Sequence, residues 1–474
     1  MRDSLRLPLI VACGLFIENM DSTVIATALP AIAGDLRVDP IALKLALTSY
    51  LVGLAVFIPI SGWVADRVGA QTTFATSVGV FMLGSICCAA SSSLEAFVAS
   101  RFLQGIGGAM MVPVGRLVLM RSIPKSELVA ALNYLAMPAL IGPVIGPPIG
   151  GFITTYFHWR WIFLINIPIC VFGMWLAVRF IPNLRERDLP QFDALGFTLS
   201  GFGLSAAMLG LATFWEHMLS PPASAACLAV GLAALFAYGR HARRTEHPLL
   251  DLRLFRLPTF RAGVIGGAWF RAGQGSVPFL LPMMLQIPFG LTPLQSGLLT
   301  FAAAVGALFM KTLTTAILSR WGFRIVMTVN AIAASVALAA FGLFSPTTPH
   351  VVILTVLLLS GCLRSLQFTS LNAISFAEVS PREMSQATSL MSVGQQLSMS
   401  LGVTIGAYAL QAAVWLSPEQ GLHIEDFRMA FLVVAAVAMT SAVYFWKLAP
   451  TAGAELAPPK KMLTDTEHGV ASQP

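Results

Sequence analysis

Long apolar runs recur along the whole chain, separated by charged residues, Pro and Gly. Most are about 20 residues long, the length that a helix needs to cross a bilayer. We number the predicted membrane helices spans one to fourteen. They are 7–29, 44–65, 74–92, 97–120, 131–154, 159–180, 194–214, 224–239, 260–286, 294–317, 323–344, 350–372, 386–414 and 427–448. The pattern predicts an all-α membrane protein.

Composition indicates the same class. Of the 474 residues, 56% are apolar and only 11% are charged, whereas a soluble domain carries about 25% charged residues. This excludes a soluble enzyme, a disordered chain, a secreted disulfide scaffold and a nucleic-acid binder. The first run continues past Glu18 and Asp21, so we interpret it as a retained membrane helix and not as a signal peptide.

The basic residues predict how the spans are oriented, because cytoplasmic loops are enriched in Lys and Arg. With the N-terminus inside, the densest basic stretch, 240–261, lies in the cytoplasm. The external segments then carry four basic residues against seven acidic ones. We therefore expect a bacterial cytoplasmic (inner) membrane protein with both termini in the cytoplasm. This topology explains the net charge of +7 without a nucleic-acid partner.

Two similar loops indicate an internal repeat, which is common in transporters. V-A-D-R-V-G at 64–69 follows span two, and L-S-R-W-G at 318–322 follows span ten. The alternative is that short basic loops look alike in any membrane protein. The repeat predicts a six-helix bundle at 1–182, a two-helix insert with cytoplasmic linkers at 183–258, a second six-helix bundle at 259–449 and a disordered cytoplasmic tail at 450–474.

The first motif is G-W-V-A-D-R-V-G-A-Q at 62–71. A tight turn between two helices requires backbone freedom, which Gly62 and Gly69 supply. Asp66 and Arg67 lie at the turn, where a carboxylate can meet a helix N-terminus and an Arg can pair with a neighbouring carboxylate. Such a contact could hold the cytoplasmic side closed. The alternative is a basic loop beside a tight turn, with no gating role.

The second motif, R-F-L-Q-G-I-G-G-A-M-M at 101–111, places Arg101 inside span four. A charge within the membrane is costly and needs a cavity or a partner. Glu18 and Asp21 share one face of span one, and Asp21 lies at a depth similar to that of Arg101. A buried acid beside an Arg, in a site that is alternately wet and dry, can carry a proton. The alternative is a static salt bridge between two helices.

The third motif is L-I-G-P-V-I-G-P-P-I-G-G-F at 140–152 in span five. Glycines at every fourth position leave one helix face bare, so that a neighbouring helix can approach closely. The prolines remove backbone donors and bend the helix. Whether that bend also seals or hinges a cavity is left open by the sequence. The residues of this motif are Gly142, Pro143, Gly146, Pro147, Gly150 and Gly151.

Taken together, the three motifs resemble those of the major facilitator superfamily, the third being similar to the motif of its antiporters. D-S-T-V-I-A-T-A-L-P-A-I at 21–32 and W-R-W-I-F-L-I-N-I-P-I at 159–169, with fourteen spans, resemble the fourteen-helix drug:proton antiporter family. The similarity extends over residues 8–448. It implies two six-helix bundles around a central cavity, alternating access, and export driven by proton entry, with no cofactor and no catalytic residue.

The resemblance also implies roles for particular residues. Asp66 and Arg67 take the gating role, Arg101 the proton-coupling role, and Asp21 is the acid that opens the family's D-x-T-V stretch. The chain departs from the family in two places. Ala70 and Gln71 stand where basic residues are usual, and Glu18 is an additional acid in span one.

In this fold the first and fourth helices of each half line the cavity, here spans one, four, nine and twelve. Six of seven intramembrane charges lie on them: Glu18, Asp21, Arg101, Arg116, Arg271 and Arg364. Four Arg against two acids favours an anionic substrate, since Arg binds carboxylates in a bidentate manner.

The sequence therefore supports a proton-coupled exporter of small molecules, and the family resemblance implies multidrug efflux. One alternative is export of an anionic metabolite, such as a carboxylate or its metal complex. An alternative of another class is a channel or a membrane scaffold. The expected partners are substrate, protons and membrane lipid around a monomeric transport unit, with no metal site. The sequence leaves open a periplasmic adaptor and an outer-membrane channel.

Overall fold

The computed structural model describes residues 3–123, 125–186, 191–214, 219–246, 248–380, 383–417 and 421–456. Every regular element in these ranges is a helix. The α-helices are α1 (Asp3–Leu36), α2 (Lys44–Phe57), α3 (Ser61–Val68), α4 (Ala70–Ala90), α5 (Leu94–Ser122), α6 (Lys125–Tyr156), α7 (Trp161–Leu164), α8 (Asn166–Phe180), α9 (Ala194–Thr213), α10 (Pro221–Ala242), α11 (Pro258–Arg261), α12 (Gly267–Gly275), α13 (Val277–Gln286), α14 (Pro293–Phe341), α15 (His350–Ser375), α16 (Met384–Leu416), α17 (Ile424–Met439) and α18 (Ser441–Trp446). Short 3-10 turns lie at Pro40–Leu43, Ile58–Ile60 and Leu252–Arg256, and a π-helical turn lies at Ala262–Gly266.

Within the described ranges, 11 helical stretches are long and apolar enough to cross a membrane. The chain is therefore an integral, multi-pass, all-α membrane protein, as the sequence predicts. The count of fourteen spans stays a prediction. Two of the differences between the predicted spans and the 11 observed stretches have a structural cause. The predicted span nine is divided into short helices: the π turn separates α11 from α12, and Ser276 separates α12 from α13. The predicted spans ten and eleven run together in α14, which has 49 residues.

Gly322 marks the break between those two spans. Its φ of 72° and ψ of 160° are not helical, although the residue lies inside α14. Gly69, which separates α3 from α4, also has a positive φ, of 113°. Residues with a side chain rarely adopt this region. These glycines end the two loops that the sequence matches to each other, and the repeat itself stays a prediction. The part of the predicted tail at 457–474 lies outside the described residues.

The two predicted six-helix bundles pack together on the predicted external side. Met20 and Leu29 of α1 belong to the same buried apolar cluster as Phe279 and Leu285 of α13. The side-chain amide of Gln286 donates a 3.0 Å hydrogen bond to the carbonyl oxygen of Thr27. This end of the molecule is therefore closed.

The glycine-rich motif of α6 strengthens the same closure. A Cβ at Gly151 would overlap the backbone of α14 at Pro293, and a Cβ at Gly297 would overlap the carbonyl group of Pro147. The N–H of Leu294 donates to the hydroxyl of Thr155 at 3.0 Å. The backbones of α6 and α14 therefore touch, as a face of small residues allows. The glycine-rich motif thus forms part of the contact between the two predicted bundles.

The predicted insert, α9 and α10, lies beside a second contact between the two predicted bundles, which α2 and α16 form. Phe197 of α9 packs edge-on against Phe57 of α2, with ring centroids 5.8 Å apart. On the other side, the hydroxyl of Tyr408 in α16 donates to the carbonyl oxygen of Leu211 in α9. The insert thus touches both α2 and α16.

Asp193 connects the start of the insert to the linker that follows α10. Its carboxylate lies 2.7 Å from His241 Nε2 and accepts from the N–H groups of Gly196 and Leu249 at 2.8 and 3.2 Å. Burial alone would raise the pKa of Asp193. The His241 hydrogen bond and the backbone donors outweigh it and hold that pKa below its usual value.

Candidate functional site

Asp21 and Arg101 form the charged pair that the sequence predicts. Asp21 lies in the middle of α1 and Arg101 in the first third of α5, and the two residues are 3% and 1% exposed. Arg101 Nη1 is 2.7 Å from Asp21 Oδ2. The two side chains therefore meet, as their similar depths in the membrane predict.

The structure adds two hydrogen-bond donors that the sequence reasoning missed. The amide nitrogens of Gln104 and Asn166 donate to Asp21 Oδ1 at 2.9 and 2.8 Å. The Gln104 amide also donates to the hydroxyl of Ser85 at 2.8 Å. A signal was present, since Gln104 lies one turn after Arg101 and Asn166 lies in the 159–169 motif.

Arg101 is also stacked on an aromatic ring. Its guanidinium carbon lies 4.3 Å from the ring centroid of Tyr50 in α2, within the range of a cation–π interaction. The cluster thus joins α1, α2, α4, α5 and α8. Both oxygens of Asp21 have donors, and this satisfied arrangement favours a static ion pair for Asp21 over a proton carrier.

Glu18 lies one turn from Asp21 on α1, toward the predicted cytoplasmic side. Its side chain is half-buried, yet Oε2 is fully buried and has no hydrogen-bond partner in the described part of the chain. Arg116 of α5 is exposed, and its charge acts on the Glu18 carboxyl. Glu18 and Asp21 therefore have opposite surroundings.

A cavity of about 110 Å³ lies between the two bundles. Its walls are mainly apolar, with prolines from α6 and α13 and hydroxyl groups from α1, α14 and α15. The lining residues are Thr23, Ala26, Thr27, Pro143, Pro147, Gln274, Val277, Pro278, Leu281, Pro282, Thr300, Ala303, Ala304, Phe341, Leu357, Ser360, Gly361 and Arg364. Among these, Arg364 is the one charged side chain.

The intramembrane arginines are separated by the fold. Arg364 lines the cavity together with Gln274, whose buried amide nitrogen has no hydrogen-bond partner among the described residues. Arg271 is 1% exposed and donates to the carbonyl oxygen of Gly263 at 3.2 Å, away from the lining residues. Arg101 is used by Asp21, and Arg116 is likewise outside the cavity lining. Depth alone places an Arg within the membrane but not on a particular helix face, so the expected cluster of cavity arginines is not assembled here.

The 62–71 motif forms an ion pair with α5. Asp66 Oδ1 is 2.7 Å from Nη1 of Arg121, and Nη2 of Arg121 is 3.6 Å from Oε2 of Glu186. The N–H of Glu186 donates to the carbonyl oxygen of Asp66 at 3.1 Å. Arg67 is exposed. Gly62 lies inside α3 with open space around it, so the turn depends on Gly69 and not on Gly62.

The other predicted motif residues lie against α1. A Cβ added at Gly142, Gly146 or Gly150 would contact or overlap atoms of that helix. Pro143 and Pro147 face the cavity. One helix thus contacts α1, α14 and the cavity at once. This arrangement is suited to transmitting a movement of one bundle to the cavity wall.

Replacing Asp66 with Asn is expected to slow transport more than it weakens substrate binding. The pair with Arg121 is partly exposed, so its loss should cost about 1 kcal/mol or less, which corresponds to a change of about fivefold in rate. Binding and turnover of the purified variant should be measured separately. Glu186→Gln is the matched control, because it removes the longer contact and keeps Asp66. Weakened binding with normal turnover would contradict a gating role.

Comparisons with known proteins agree with this geometry. The family profile described as "Major Facilitator Superfamily" matches residues 11–403 and, in a second alignment, residues 263–469. A relative from Cronobacter sakazakii, named "Putative multidrug resistance protein MdtD", is 38% identical over 403 residues, or 85% of each chain. A Serratia proteamaculans relative of the same name is 37% identical over 443 residues, covering 91% of this chain and 92% of the relative. The crystal structure of a D-xylose-proton symporter shares the fold, with a TM-score of 0.69, 14% identity and coverage of 94% and 98%.

Proposed function

Because this chain belongs to the major facilitator superfamily, we propose that it is a proton-coupled antiporter that exports small molecules by alternating access, most directly as a multidrug exporter. The observation that supports this best is the buried carboxyl oxygen of Glu18 on α1, because the same helix also lines the cavity between the bundles. Relatives named as multidrug resistance proteins support the substrate class.

The packing suggests which state of the cycle the structure represents. The bundles are in contact on the predicted external side, through α1 with α13 and α6 with α14. Arg116 is exposed on the other half of α5. We infer an inward-facing state, in which substrate enters from the cytoplasm. Outward opening requires the α6–α14 contact to separate and the cytoplasmic ends to close.

A second candidate function is export of an anionic metabolite, such as a carboxylate or its metal complex. Arg364 gives the cavity a positive charge, and Gln274 of α12 adds an N–H donor that has no partner in the described part of the chain. A carboxylate could accept from both, while its apolar part packs against the proline-lined wall. This arrangement is better suited to an amphipathic anion than to a cation.

We further propose a location and an assembly. The transporter lies in the cytoplasmic membrane of a bacterium with both termini in the cytoplasm, and one chain is the transport unit, surrounded by lipid. The family resemblance adds a periplasmic adaptor and an outer-membrane channel as candidate partners. Copurification from solubilised membranes tests that association.

Reconstituted protein in liposomes tests the function. With an imposed pH gradient, we expect uptake of ethidium, a lipophilic cation, or of a tricarboxylate to exceed uptake without the gradient. Protein-free liposomes are the control. Accumulation of the tricarboxylate alone would favour the anionic candidate. Passive flux of either probe, independent of the pH gradient, would indicate a channel, and absence of any flux would indicate a scaffold.

A further inference from the structure

We propose that Glu18, and not Asp21, is the carboxyl group that binds and releases the transported proton, while Asp21 stays ionised as a clamp between helices. This inference rests on the proposed proton-coupled export and assigns its proton to one residue. The two acids lie one turn apart on the same helix, but their surroundings differ.

Protonating Asp21 would disrupt a complete set of contacts. Its two oxygens accept from Arg101, Gln104 and Asn166, and it is 3% exposed. A neutral Asp21 would leave the Arg101 charge buried without a counter-ion, on the face of the Tyr50 ring. Removing one partner of a buried ion pair is strongly destabilising. A proton carrier must instead change charge in each cycle at low cost.

Glu18 lacks these obstacles. Its Oε2 is buried without a hydrogen-bond partner among the described residues, and the rest of the side chain is partly accessible. It lies beside Gly108, where a Cβ would be 3.7 Å from Glu18 Cγ and 3.2 Å from the hydroxyl oxygen of Tyr50. That hydroxyl is also buried and unpartnered in the described part of the chain. A protonated acid supplies a donor to such a pocket, and the uncharged form avoids burying an unpaired carboxylate.

The charged groups around Glu18 indicate where its proton is released. The charge of Arg116 on α5 acts on the Glu18 carboxyl group, as does the charge of Asp21 one turn away on α1. Arg101 is already paired with Asp21, and the neighbouring stretch of α6, 141–150, has no titratable side chain. Burial of Oε2 therefore favours the neutral acid in this structure, and the exposed Arg116 favours the carboxylate once cytoplasmic water reaches the site.

In the outward-facing state the Glu18 carboxylate binds a proton from external water and forms the neutral acid. In the inward-facing state the O–H bond breaks, the proton passes to cytoplasmic water, and the carboxylate remains beside Arg116. No other group gains or loses a proton, and Asp21 with Arg101 keeps zero net charge throughout. One proton thus enters the cell in each cycle.

Infrared difference spectroscopy between acidic and alkaline pH tests this without any substrate. We expect one component of the carboxylic-acid C=O bands of the wild-type protein to be lost in Glu18→Gln, while the bands of its other acids remain. That component should persist in the double variant Asp21→Asn/Arg101→Gln, which removes both charges of the clamp and keeps groups of similar size. Persistence in Glu18→Gln together with loss in the double variant would overturn the inference.

Transport of ethidium in liposomes provides the second readout. Glu18→Gln should lose the stimulation of transport by a pH gradient while it still exchanges internal for external ethidium. Glu18→Asp should restore part of the stimulation. If the wild-type protein shows no stimulation, the proposed function fails. If the wild-type and Glu18→Gln proteins show equal stimulation, the proposed function stands and the assignment of Glu18 fails.

Discussion

Replacing Asp21 with Asn is expected to destabilise the folded protein by about 3–5 kcal/mol. The carboxylate neutralises Arg101, which is 1% exposed, and binds the amides of Gln104 and Asn166. Asn at this position has no charge to offer, and its NH2 group would face other donors. The large effect follows from the guanidinium left in the protein interior.

Thermal unfolding of the purified protein in detergent measures this loss. Asp21→Asn should unfold at a clearly lower temperature than the wild-type protein. Arg101→Gln combined with Asp21→Asn should recover much of the difference, because the cation is then also absent. Equal stability of Asp21→Asn and the wild-type protein would show that the pair is not a structural clamp.

Replacing Arg364 with Gln is expected to weaken binding of an anionic substrate by about 10- to 100-fold. This estimate corresponds to the loss of one charge-assisted hydrogen bond, about 1.5–3 kcal/mol. Arg364 is the charged residue of the cavity lining, so no other side chain of that lining can replace its charge. Ethidium, a cation, should bind at least as well as before.

Binding of a tricarboxylate and of ethidium to the purified variant distinguishes the two candidate substrate classes. Lys311→Gln is the matched control, since Lys311 is an exposed cation on α14 that does not line the cavity. It should leave binding of both probes unchanged. An equal loss for both probes in Arg364→Gln would assign a structural role to this residue, and unchanged tricarboxylate binding would exclude the anionic site.

The sequence predicts the fold because the membrane imposes a period and a length that apolar runs must obey. It also predicts the Asp21–Arg101 contact, since a helix rises about 1.5 Å per residue and depth can be counted from each end. The direction in which a side chain points from its helix is harder to predict. Arg271 has the depth of a cavity residue, yet it binds the carbonyl oxygen of Gly263 in its own segment.

Other contacts between distant segments cannot be predicted from the sequence. Asp66 has Arg67 as its neighbour in the motif, but its partner is Arg121, 55 residues away. The positive φ of Gly69 ends α3 and starts α4 beside the end of α5. The helix breaks near the π turn at Ala262–Gly266 depend on local packing, which a hydropathy pattern does not record.

Proton movement driven by substrate tests the central claim most directly. Liposomes containing the protein and the pH indicator pyranine are prepared with equal pH inside and outside, and ethidium is added outside. An antiporter must expel protons as ethidium enters, so we predict that the interior becomes alkaline, and that it does not do so in protein-free liposomes. Ethidium entry through the protein without any change of internal pH would contradict proton-coupled antiport.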